Sequence, residues 1–125
     1  MTEQTARPRL ARPTGAPALY SQDGKGYDAI VHEHYFVAQA DWLITEYDED
    51  QELAFGWACL GDRANAELGY VSLAELEEIR VPLTVRVNGQ ELRTTGGLPV
   101  ERDAHWPEGL TLLEAIRELD GRTGR

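Results

Sequence analysis

The chain has 125 residues, with 22 acids against 12 bases for a formal net charge of -10 at pH 7, and a single cysteine. That length suits one domain able to bury roughly two thirds of its unfolded surface, and the lone Cys59, in the apolar run FGWACL, excludes an internal disulfide and reads as a buried small hydrophobe in a reducing compartment. The charge argues against direct binding of nucleic acid, where affinity comes largely from cations that neutralise phosphates. No apolar run reaches the length of a membrane span, and no apolar signal region marks the amino terminus, so the expectation is a cytoplasmic protein.

Residues 1–18 carry Arg7, Arg9 and Arg12 against Glu3, together with Pro8, Pro13 and Pro17. Few large apolar side chains interrupt them, and the stretch reads as a flexible basic tail. A single domain is expected over 19–120, with 121–125 as a frayed C-terminus. Asp23-Gly24-Lys25-Gly26 is a turn before the first strand.

The stretch from Tyr27 to Leu60 holds seven of the ten aromatic residues, and between Lys25 and Arg63 it has nine acids and no Lys or Arg. Its apolar residues follow a period of two. Ile30, His32, His34 and Phe36 fall on one strand face, with Val31, Glu33, Tyr35 and Val37 on the other. Trp42, Ile44 and Glu46 then alternate with Leu43, Thr45 and Tyr47. Asp48-Glu49-Asp50-Gln51 supplies a turn. A third crossing puts Leu53, Phe55, Trp57 and Cys59 opposite small Ala54, Gly56 and Ala58, which predicts that another element approaches closely there. Together these make a three-strand antiparallel meander.

Ser72-Leu73-Ala74-Glu75 has the form of a capping box, predicting a helix from Ser72 that stops before Pro82, with Leu73, Leu76 and Ile79 buried. Leu83 to Val87, Asn88-Gly89 and Gln90 to Thr94 form a hairpin signal, because Asn-Gly accepts the positive φ angles of a type I′ turn. Leu98 to Asp103 is extended. Thr111-Leu112-Leu113-Glu114 repeats the capping-box pattern, and Leu112, Leu113, Ile116 and Leu119 give a short amphipathic helix closing at Gly121.

TEYD (Thr45 to Asp48), FGW (Phe55 to Trp57), the run AELGYVSLAELEEI (Ala66 to Ile79) and PVERDAHW (Pro99 to Trp106) stand in that order. With these four motifs the chain resembles the domain of unknown function 2958 family, over roughly Leu19 to Leu113. That resemblance implies small acidic proteins encoded largely on plasmids, conjugative elements and phages, often near antirestriction genes. It brings no established reaction.

His32-x-His34 places two imidazoles on one strand face about 7 Å apart, and His105 arrives from the ERDAHW segment, so a zinc site is one possibility. Packed or hydrogen-bonded histidines are the commoner outcome, and no metal, cofactor or catalytic residue is assigned. If the ERD strand pairs with the TEYD strand, Glu46, Asp48, Glu101 and Asp103 become neighbours and Arg102 is their counter-ion. The acids Asp41, Glu46, Asp48, Glu49, Asp50 and Glu52, with no base among them, are the candidate partner-binding residues. Their field suits a protein with a basic surface that normally grips DNA, in the manner of a DNA mimic.

The sequence thus predicts a single α+β domain, an antiparallel sheet of meander plus hairpin with two short packed α-helices. Its expected role is non-enzymatic: an accessory protein of a mobile genetic element acting by protein–protein contact, an acidic inhibitor or decoy of antirestriction or anti-CRISPR type. The alternative is a small metal-dependent or hydrolytic enzyme using His32, His34 and His105.

Overall fold

A computed structural model describes residues 9–93 and 95–122, so residues 1–8 of the expected tail and 123–125 of the expected frayed end lie outside the described residues. The meander is present as β1 (Glu33–Val37), β2 (Ala40–Asp48) and β3 (Leu53–Cys59), and β4 (Glu67–Ser72) continues it beyond β3. The one-turn helix α1 (Leu73–Leu76) follows. An arm then leaves the body through β5 (Arg80–Val81), β6 (Thr84–Val87), β7 (Gln90–Arg93) and β8 (Leu98–Pro99). The chain returns through β9 (Glu101–Arg102) and ends in α2 (Leu112–Arg122). The five-stranded antiparallel sheet has the order β4-β3-β2-β1-β9. This is the α+β single domain that the periodicities predict.

The first strand is shorter than expected, because Gly26–Asp28 form a 3₁₀ turn and Ile30 bridges to Thr111 before β1 begins. Each face of the sheet buries its own apolar cluster. On one face Tyr35, Val37, Trp42, Ile44, Tyr47 and Ala54 pack with Val71, Leu73, Leu76 and Leu10. On the other, Leu43, Trp57 and Cys59 meet Val31 and the Leu112, Ala115 and Leu119 stripe of α2. Central β2 is therefore buried along both faces, from Asp41 to Tyr47.

The expected faces of β2 hold only as far as Ile44. Ile44 pairs with Gly56 and Glu46 with Phe55, which leaves Thr45 as an extra, bulged residue. The bulge reverses the alternation, so Tyr47 joins Trp42 and Ile44, and Glu46 leaves them. Gly56 answers this distortion: a Cβ there would sit 2.0 Å from the Leu43 carbonyl oxygen. The close approach read from the small residues of β3 thus comes, at Gly56, from the neighbouring strand.

Both capping signals mark real helix starts. The Ser72 hydroxyl accepts from the Glu75 N–H, though α1 lasts only one turn. At α2 the box is reciprocal, with the Glu114 N–H donating to Thr111 Oγ1 and the Thr111 N–H to Glu114 Oε1. Ala115 takes the buried place expected of Leu113, which is 44% exposed. The hairpin β6–β7 turns through Asn88 and Gly89 at φ 52° and 80°, and both its strands are exposed throughout.

Residues 9–17 depart from the expected flexible tail. Leu10 is buried in the first cluster, Pro13 is buried, and the Pro17 carbonyl accepts from the Tyr47 N–H. Their arginines are neutralised by acids of the body, as described below.

Candidate functional site

The three histidines do not converge. His34 is buried, with Nδ1 2.9 Å from Asp103 Oδ2 and Nε2 2.8 Å from Asp41 Oδ1. Both contacts are hydrogen bonds to ionised carboxylates when the ring carries both N–H protons, and neither nitrogen is left for a metal or a substrate. Trp106 packs on the ring at 5.0 Å between centroids. Burial would lift the Asp103 carboxyl, but hydrogen bonds from His34, Arg122 and the His105 N–H hold it down to about 2. His105 reaches Asp103 only through its backbone, and its side chain is exposed. His32 lines a cleft of about 460 Å³ with Glu33, Arg102, Asp103 and Trp106, beside the His34–Asp103 pair, and burial lowers its pKa. Among the described residues no group of three or more His, Cys, Asp and Glu side chains could hold a metal ion.

The ERD strand pairs with β1, not with the TEYD strand: Tyr35 faces Arg102 and Phe36 faces Glu101. Glu101 and Asp103 are therefore separated from Glu46 and Asp48 by a strand, and Arg102 meets Glu33 at 3.5 Å instead of the TEYD acids. Burial raises the Glu33 pKa, and Arg102 opposes that rise. Nothing in the alternation could reveal this, because a two-residue strand gives no period of its own.

The six candidate partner-binding acids divide. Asp41 is buried against His34. Glu46 is buried too, accepting from the Tyr20 and Gln22 N–H groups and so fixing the turn that leads into the domain. Both face inward, because β2 is covered on either side, and they leave the expected partner-facing set. Glu52 is bound by Arg9 and Arg12. Asp48, Glu49 and Asp50 stay at the surface of the β2–β3 turn, where Asp48 accepts from the Asp50 N–H, and none of the three forms a salt bridge among the described residues.

Asp48 and Glu49 line an open groove of about 820 Å³ together with Tyr20, Tyr47 and Tyr70. Tyr20 and Tyr70 are 62% and 55% exposed, and their hydroxyls meet at 3.1 Å. Tyr20 has φ 75°, an uncommon conformation for a side chain of its size, held by the Glu46 bond to its N–H. Phe55 supports Tyr70 edge-on at 5.4 Å. The sequence signal for this wall lay in the Tyr of TEYD and the Tyr of ELGY, which the order β4-β3-β2 brings two strands apart on one sheet. Aromatic rings beside carboxylates attract cations: the ring faces through their quadrupoles, the acids directly.

Fold and site together define a single α+β domain with an acidic, tyrosine-walled surface groove. By sequence the chain belongs to a family of proteins of unknown function, DUF2958, whose model matches residues 18–118. None of the curated proteins and none of the solved structures matches it.

Proposed function

We propose that this protein acts in the cytoplasm by contact with a protein partner, as a non-enzymatic accessory protein of a mobile genetic element. Its tyrosine-walled groove and the Asp48, Glu49 and Asp50 turn receive basic side chains of a nucleic-acid-binding defence protein, which the acids keep from its own target. The observation that carries this reading is the placement of Asp48 and Glu49 on the wall of a groove formed by Tyr20, Tyr47 and Tyr70. Tyrosine is enriched at interface hot spots, and an acidic rim speeds the approach of a basic partner. The mobile-element setting rests on the family resemblance, which is analogy.

Affinity capture from host lysate at low and high salt supplies the partner, and a titration then tests the site. Asp48→Asn, Glu49→Gln and Asp50→Asn together should slow association roughly tenfold at low salt, and Tyr70→Ala should speed dissociation. Unchanged rate constants in both variants, with the fold intact by circular dichroism, would sink the proposal.

A further inference from the structure

Residues 9–17 lie on the body as a bound peptide lies on its receptor. Leu10 is 7% exposed in the cluster built on Tyr35, Val100 and Leu76, and its N–H donates to Glu77 Oε2 at 2.9 Å. The Tyr35 hydroxyl donates to the Ala11 carbonyl at 2.6 Å. Arg12 is forked between two acids, 2.6 Å from Glu77 and 3.0 Å from Glu52, and Arg9 reaches Glu52 at 2.9 Å. These contacts read one apolar side chain, two guanidinium groups and the main chain between them. They are specific for an extended Arg-Leu-x-Arg segment.

The receiving residues and the strap differ in one respect. Tyr35, Glu52, Glu77 and Val100 lie inside the matched span 18–118, whereas residues 9–17 precede it. The strap is joined to the body through Gly15, whose φ of 79° and open surroundings leave the chain free to turn there. Pro13 restricts the chain beside the seated residues 9–12 and lowers the entropy lost when they seat.

We propose that the groove between Glu52 and Glu77 is a binding site for an extended basic segment of a partner protein with Arg-hydrophobic-x-Arg spacing, and that residues 9–12 occupy it as a tethered competitor. With the strap seated, Arg12 holds both carboxylates below their ordinary range, and a guanidinium placed the same way by a partner would do likewise. A tether of this length competes at an effective concentration on the order of millimolar. A partner segment that makes the same contacts and also reaches the adjoining tyrosine groove exceeds that competition. The inference goes beyond the preceding reading in placing a second, already filled site beside the first.

The probe is a fluorescent synthetic peptide with the sequence of residues 9–17, titrated into the full-length chain. A Leu10→Ser, Arg12→Ser variant, which frees the groove, should bind it at least tenfold more tightly than the wild type. Adding Glu77→Gln should abolish binding, whereas adding Glu49→Gln and Asp50→Asn should leave it in place, so failure here is distinct from failure of the acidic-turn reading. A folded double variant that binds no peptide at about 1 mM overturns the proposal. So does a dimer made by exchange of residues 9–12 between copies, which would assign the groove to self-association. Should the double variant not fold, the isotope-labelled wild type is titrated with excess unlabelled peptide, and the Leu10 amide resonance should move towards its released position. No movement at several times the effective concentration also overturns the proposal.

Discussion

His34 holds two carboxylates inside the fold, and its removal leaves both without their shared donor. His34→Ala should therefore cost ~2 kcal/mol, read from urea unfolding at pH 7, because two buried carboxylates each lose a hydrogen bond while Arg122 and the His105 N–H still hold Asp103. The pH dependence follows from Asp103. Its folded value of about 2 lies below the ordinary 3.8 of the unfolded chain, so the stability it contributes is fully present above the ordinary value and is lost as pH falls towards 2. The linked amount is ~2 kcal/mol, and Asp103→Asn should flatten the acid limb of a stability profile taken from pH 5 to pH 2. His32, lowered by burial, has the same sign in a higher window: its contribution is present above 6.5 and declines as pH falls through its folded value. Glu33 runs the other way, since burial raises it. Arg102→Ala should therefore destabilise by ~1 kcal/mol at high pH, where Arg102 faces a carboxylate, and by progressively less as pH falls and Glu33 takes up its proton in the fold.

Among the elements, β2 and β3 carry the tightest constraint. Gly56→Ala would drive a methyl group into the Leu43 carbonyl beside the Thr45 bulge, and a loss of ~4 kcal/mol or failure to fold is expected by thermal melting. Thr111→Ala removes half of the reciprocal box that starts α2 and should cost ~1 kcal/mol in the same assay. The exposed β6–β7 hairpin belongs to neither apolar cluster, so replacing residues 84–93 with a short turn should change stability by less than ~1 kcal/mol. The meander, both helix starts and this hairpin were legible because each rests on a local signal: alternation, a Ser or Thr three residues before Glu, and Asn-Gly. The bulge was not, since Thr45 suits a strand whether or not it is paired. Nor was the strap legible. Its arginines and prolines resemble an unstructured tail, and only the distant Glu52 and Glu77 show what they fit. The tyrosine wall lay between these cases, because its residues stood in recognisable motifs while their convergence depended on strand order.

Across the whole molecule, one sheet separates two cores, with β2 and β3 each sending side chains into both. The strap and α1 close one side, and α2 closes the other. The formal charge of -10 is unevenly spread, for the acids of β2 are largely consumed internally while those of the following turn remain at the surface. Capture of a basic partner by that turn should accordingly weaken as salt rises, whereas the buried His34 contacts should respond much less.

Cys59 gives this two-sided construction a time axis. It is fully buried beneath α2, with Arg63 Nη1 3.1 Å from its sulfur. As the chain's single thiol, it can meet a bulky thiol reagent only when α2 lifts or the whole domain opens. Its labelling rate in native conditions therefore clocks one side of the sheet alone. Arg12→Ala, which loosens the opposite side, should leave that rate almost unchanged if the two coverings open independently. If it accelerates labelling in step with the fall in global stability, the domain opens as one cooperative unit, and no partner can displace the strap without exposing the thiol as well.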